Sequence, residues 1–230
     1  MSAHYGQIAF TGPVRDVQER YGSRRFYDRH TARAAGVPGP DPIPDDVREF
    51  LAGRDECYLA TVGETGWPYV QFRGGPPGFL RVVDDHRLGW ADFRGNLQHI
   101  STGNLAGDDR VAMIVMDHPT RQRLKVFGRA RVVFAEDDAD LVRSLRPPDY
   151  EAVVERAVVV SVEAFDWNCQ QHITPRYSVE EFEPLLGGLR ERIAALEAEN
   201  AGLLARLTGE FAVDRPMPAR REAPSWPATP

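Results

Sequence analysis

The residues with most chemistry to offer are basic side chains at strand spacing beside glycine. Arg73 precedes a Gly-Gly-Pro-Pro run at residues 74–77, and Arg94, Gly95 and Asn96 stand where an apolar run gives way to a short helical pattern. Arg123 and Lys125 fall on one face of an alternating segment, because residues two apart in a strand point the same way. A phosphate wants fixed positive charge together with backbone N–H donors, and the free N–H groups of a helix start suit an anion. Strands that deliver Arg73 and Arg94 next to bare glycine backbone therefore make a candidate anion cradle. The same arginines would equally well coat a surface and meet acidic neighbours, and composition does not choose between the two.

Signatures of other chemistry are thin. The chain carries no Walker loop, HExxH, GxSxG or CxxC pattern. His99, His118 and His172 sit in unrelated contexts and read as satisfied or exposed histidines. Asp84 and Asp85 form an acidic pair that reads as a turn tip. Arg24, Arg25 and Arg29, interleaved with Phe26 and Tyr27, offer either an anion-binding arm or a solvated helix face with two aromatic anchors, and the helix face is the simpler reading. With 28 basic against 34 acidic residues, the net charge of −6 argues against nucleic acid as a partner. Cys57 and Cys169 lack metal-ligand spacing and are too few for a disulfide framework, so a reducing, cytoplasmic compartment is expected. The first ten residues lack a basic region followed by an apolar one. No apolar run approaches the ~18–20 residues of a membrane helix, and no membrane partner is expected.

The elements that must position these groups follow from hydrophobic period. Residues 1–56 read as a helical arm: Val14, Val17 and Tyr21 lie at helical spacing behind Thr11-Gly12-Pro13, a proline-rich loop spans 36–44, and a short helix covers 45–51. From Cys57 the period changes to that of strands. Residues 57–62 and 67–72 form a hairpin across Gly-Glu-Thr-Gly, with further strands at 78–83 and 88–93 and a short helix from Ile100 to near Gly107. The run 111–116 reads as a strand buried on both sides. Residues 121–134 alternate basic and apolar side chains until Gly128 permits a bend or bulge. A helix at 137–145 stops at Pro147-Pro148, 151–156 read as another helical turn, and 157–165 form the last strand. Six or seven strands joined by short turns point to an antiparallel barrel.

Residues 179–207 are different. Phe182, Leu186, Leu189, Ile193, Leu196, Asn200, Leu203 and Leu207 recur at alternating spacings of four and three. With Ile193 and Asn200 at a, Leu189, Leu196 and Leu203 fall at d, and Arg192 at g opposes Glu197 at e′ of a parallel partner. A single Asn at a specifies a two-stranded coil, so a dimeric coiled coil is expected in preference to one helix lying on its own barrel. Pro184 falls within the first turns, and the regular helix is expected to begin near it. Residues 208–230, rich in proline, are expected to be a disordered tail.

The blocks WPYVQFRGGPPGFLRV, LGWADFRGNLQHISTGNL, DDRVAMIVMD and RLKVFGRARVV, in this order, resemble the pyridoxamine 5′-phosphate oxidase-like family of FMN-binding split barrels. That resemblance implies a six-stranded Greek-key split barrel over residues 57–178, with peripheral helices and a long C-terminal helix. It also implies a homodimer with FMN in a groove between subunits. Gln71, Phe72 and Arg73 would line the flavin, with Arg73 towards the phosphate. Trp90, Ala91 and Asp92 match the strand whose backbone faces the ring, and Arg94, Gly95 and Asn96 match the phosphate-binding turn. The family often has Ser-Arg-Lys at that turn; here the lysine is lost, and Arg123 or Lys125 is expected to supply its charge. Trp167 and Arg176 resemble the tryptophan and arginine that complete the flavin site.

One departure bears on substrate. The oxidases place an Arg-x-His pair just before the last arginine, whereas this chain reads Gln171-His172-Ile173-Thr174-Pro175-Arg176, with His172 present and the paired arginine absent. The resemblance thus implies an FMN-dependent oxidoreductase acting on a small molecule other than pyridoxamine phosphate, with the flavin supplying the redox chemistry. Two other classes of reading stand beside it. One is a non-catalytic carrier or sensor of flavin, deazaflavin or haem, with His99 and His172 as candidate iron ligands; the other is an interaction protein whose coil recruits a partner.

Overall fold

The computed structural model describes residues 2–33, 36–167 and 170–212. Among the described residues, four helices open the chain: α1 (Tyr5–Ala9), α2 (Gly12–Arg20), α3 (Arg24–Arg33) and α4 (Asp45–Ala52). Pro13 sits in the first turn of α2, where a missing N–H removes no helical bond. Asp45 and Asp46 open α4 at the favourable end of its dipole. Its Val47, Phe50 and Leu51 join the main core.

Seven strands follow: β1 (Glu56–Val62), β2 (Pro68–Gly74), β3 (Arg81–Val82), β4 (Arg87–Phe93), β5 (Arg110–Asp117), β6 (Gln122–Phe134) and β7 (Val154–Trp167). They form one sheet in the order β2-β1-β5-β6-β7-β4-β3, and all its pairings are antiparallel. Helix α5 (Ile100–Gly107) links β4 to β5, and α6 (Ala139–Leu145) links β6 to β7. Asp138 caps α6 by accepting from the Leu141 N–H.

Three local expectations need correction. The strand expected at 78–83 shrinks to the two residues of β3. Pro76 and Pro77 have no N–H for a ladder, Gly78 is left-handed at φ 81, and the turn drives Phe79 and Leu80 into the core. Residues 151–153 form no helical turn, because Val154 and Arg156 already pair with Phe93 and Asp92 of β4. The strand buried on both sides is β7 rather than β5. On β7, Val158, Val160 and Val162 face the main core, while Ala157 and Val159 face a smaller one with Val142 and Leu145 of α6. On β5 only alternate residues are buried, and Ile114 is 40% exposed.

The expected bulge at Gly128 is present as a register shift between Phe127 and Gly128. A Cβ there would lie 2.5 Å from the Ser161 carbonyl oxygen, so glycine lets the two long strands approach.

A second compact unit begins at Tyr177 and contains α7 (Val179–Ala212). The helix starts at Val179 rather than near Pro184, which lies inside it. A capping box sets the start: Glu181 N–H donates to Ser178 Oγ at 3.2 Å and Ser178 N–H donates to Glu181 Oε2 at 2.7 Å. The helix runs on to Ala212, and the rest of the expected tail, like Cys169, lies outside the described residues. Phe182, Leu189, Ile193, Leu196, Leu203 and Leu207 are exposed along it. No helix among the described residues is long and apolar enough to cross a membrane.

Candidate functional site: a cleft between β2 and β4

Gln71, Phe72 and Arg73 of β2 line one cleft of about 360 Å³ with Trp90, Ala91 and Asp92 of β4 and with Gly95 and Asn96 of the following loop. In the sheet order β2 and β4 are five places apart, so the sheet must curl to bring them face to face. Arg73 Nη1 ties them by donating to Asp92 Oδ1 at 2.8 Å.

Asp92, whose side chain is only 4% exposed, also accepts from Arg156 Nε at 2.9 Å. A carboxylate this deep is tolerated because two guanidiniums repay its desolvation. Arg156 Nη2 reaches Glu155 Oε2 at 2.8 Å and His99 Nδ1 at 3.1 Å. Glu155 Oε1 accepts from Arg94 Nε at 3.0 Å. A single chain of charge thus runs Arg73–Asp92–Arg156–Glu155–Arg94 along the cleft, with His99 attached.

Two buried donors of cleft-lining residues, Arg73 Nε and Trp90 Nε1, have no partner among the described residues. Leaving a buried donor unpaired costs roughly 1–3 kcal/mol, which an acceptor entering the cleft would recover. Ser101 Oγ donates to Gln71 Oε1 at 2.7 Å, leaving the amide N–H groups of Gln71 as donors. The loop beyond Asn96 is strained: Leu97 and His99 are left-handed at φ 60 and 52. Such strain costs about 1–3 kcal/mol and gathers at ligand sites. Cys57 lies outside the cleft-lining set, and burial pushes its thiol up to about 12, so it behaves as a small hydrophobe rather than a nucleophile.

Residues 43–166, more than half of the chain, match the family model described as pyridoxamine 5′-phosphate oxidase. The chain belongs to that family. The family match contains the whole cleft and leaves α1 to α3 and α7 outside it. Similar solved structures include an FMN-binding protein from Syntrophomonas wolfei, at 13% identity, with 69% of this chain and 98% of that one covered and a TM-score of 0.43. HupZ of Group A Streptococcus shares 13% identity over 59% of this chain and 99% of its own, with a TM-score of 0.45. An F420 reductase shares 23% identity over 54% and 98%, with a TM-score of 0.39. No curated protein matches the chain.

Of the residues that the pyridoxamine 5′-phosphate oxidase resemblance singled out, the fold brings together Gln71, Phe72, Arg73, Trp90, Ala91, Asp92, Gly95 and Asn96. Arg94 borders them through Glu155. Arg123 and Lys125 do not reach the cleft of their own chain. The register aligns Phe72, Tyr58, Ile114 and Lys125 across four strands, a span of roughly 14 Å at the usual strand spacing. Lys125 Nζ instead lies 3.6 Å from Asp166 and over the Tyr5 ring. Trp167 packs edge-on against Phe50 and lines a different hollow with Asp46, Glu49, Arg54 and Asp117. Arg176 is exposed beyond β7.

The cleft also holds Phe79, Thr102, Glu155 and Arg156, which the sequence does not place there, and His99, which it offers only as a candidate iron ligand; His172, the other such candidate, is not among the lining residues. Arg156 had a signal: a charged pair, Glu155-Arg156, runs straight into the apolar strand. Reading 151–156 as a helical turn concealed it.

Proposed function

We propose that this protein is a flavin-dependent oxidoreductase that binds FMN in the β2–β4 cleft and acts on a small molecule other than pyridoxamine phosphate. What carries the reading is that family membership coincides with a single cleft collecting eight of the expected cofactor residues. The unpaired Arg73 Nε fits the group, since it offers a buried cationic donor to an anionic oxygen. In this reading Arg73 and the turn at Arg94, Gly95 and Asn96 hold the phosphate, while the backbone of Trp90, Ala91 and Asp92 supports the ring. The bound flavin supplies the redox chemistry; the chain binds it, orients it and excludes water.

The reading includes a homodimer. Phe72 is 54% exposed, and Tyr58, Val70 and Ile114 on the same outer face are exposed with it. Phe72 also lines the cleft, so a second copy covering this apolar face closes the cleft as well. That copy's Arg123, Lys125, Trp167 and Arg176 then supply contacts that the first copy's own cannot make. The curled sheet, which has seven strands rather than the six expected, closes as a Greek-key split barrel over residues 57–178, behind a helical arm at 1–56. Residues 179–207 pair as a parallel coiled coil with Asn200 at a, in the cytoplasm.

Purified full-length protein is expected to be yellow, to release FMN on denaturation and to bleach anaerobically with NADH or NADPH. Colourless protein that takes up no FMN on titration would overturn the reading. One observation favours a second reading, a flavin or deazaflavin carrier: both carboxylates of the cleft, Asp92 and Glu155, are engaged by guanidiniums. A stable yellow protein inert to both nicotinamides would select that one.

A further inference from the structure

We propose that His99 is a hydrogen-bond donor of fixed tautomer that recognises the phosphate of the group bound in the cleft, an inference that rests on the FMN reading above. Arg156 Nη2 lies 3.1 Å from His99 Nδ1. A guanidinium only donates, so Nδ1 must accept with its lone pair, and the ring proton sits on Nε2. Arg156 is not free to swing away. Its Nε is held by Asp92 and its Nη2 by Glu155, and its side chain is 11% exposed.

The backbone sets where the side chain leaves the chain. His99 is left-handed at φ 52 and immediately precedes α5. It lines the cleft with Gly95, Asn96 and Leu97, and among the described residues Nε2 has no partner. A single N–H donor with a guanidinium behind it therefore serves the cleft. An anionic oxygen gains from both the hydrogen bond and the adjacent charge, whereas a neutral ring carbonyl gains mainly from the first. Asp92 acts at one remove, as a positioning residue: it holds Arg156, which dictates the tautomer of His99.

FMN and riboflavin, which differ by the phosphate, separate the possibilities when titrated into full-length protein. His99→Asn is the apt variant because asparagine tolerates left-handed backbone while its short amide cannot reach as far. The expected result is about a tenfold loss of FMN affinity, ~1.4 kcal/mol, with riboflavin affinity unchanged. Equal losses for both flavins, or none for either, would overturn the assignment. Nitrogen-15 spectra of the wild-type ring provide a readout independent of any variant. Nδ1 must show as unprotonated and Nε2 as protonated; the reverse tautomer, or a mixture, also sinks the proposal. Wild-type protein that binds neither flavin would defeat the FMN reading itself, and would be told apart by that result.

Discussion

Asp92 is the residue on which the cleft depends. It is buried on β4 and serves two guanidiniums, Arg73 from β2 and Arg156 from β7. Replacing it with asparagine keeps the shape but leaves Arg73 without a carboxylate and Arg156 with Glu155 alone. The expected cost is about 3–5 kcal/mol, measurable as a shift in denaturant midpoint; a loss near zero would mean that water screens the site. A second residue-scale device sits at the N-terminus. His4 Nδ1 lies 2.8 Å from Asp41 Oδ1 and Nε2 lies 3.0 Å from the Val37 carbonyl. The bond to Asp41 raises the His4 pKa above the usual 6.5, against the opposing effect of burial. A raised folded pKa stabilises the protonated, folded form. The contribution is therefore complete below about pH 6.5 and fades as pH climbs through the raised value. Hydrogen-exchange protection of residues 4–10 is expected to fall over that rise in wild type and to stay flat in His4→Asn.

At the scale of elements, β6 and β7 organise the fold, and their fit turns on one glycine. Gly128→Ala would push a Cβ to 2.5 Å from the Ser161 carbonyl and 2.6 Å from a Val160 methyl. Backbone cannot retreat as a flexible side chain can, so a loss of about 1–3 kcal/mol is expected, read from thermal or denaturant unfolding. A neutral substitution would show that the bulge relaxes freely. Strand existence was legible from period, and the Gly128 irregularity from the glycine itself. Which apolar run is buried on both faces was not. Residues 111–116 and 157–162 look alike as sequences, but α6 packs on β7 and gives its second face a core. Helix α7 shows the converse. Its start lies at the capping pair Ser178 and Glu181, and Pro184 is accommodated within the first turns.

For the whole molecule, the curl of the sheet and the covering of its outer face matter most. If a second copy covers that face, Ile114→Lys places a charge among Tyr58, Phe72 and its mate. It is expected to convert dimer to monomer in sedimentation and to weaken FMN binding with it. Leu196→Glu, on the exposed stripe of α7, tests the coil separately: dimer loss places the coil within the dimer, whereas an unchanged dimer leaves it free for another partner. An Ile114→Lys protein that remains dimeric would move the interface elsewhere.

By itself the sequence determined the local grammar: strands by their period, turns by glycine and proline, the C-terminal helix by its spacings of four and three, and the residue types of an anion site. These are decided by neighbours within a few positions, so they can be read along the chain. The family blocks carried the expectation that Arg73, Asp92 and Asn96 belong together. Only the tertiary structure decided that Asp92 is shared between Arg73 and Arg156, residues 83 positions apart in number, and that Arg123 and Lys125 stand strands away from their own cleft. Those outcomes depend on how far the sheet curls and on strand register, where a shift of one residue turns every side chain to the other face. The anion cradle first suggested by arginine beside glycine is, in the folded chain, a cleft whose charges are held by one another.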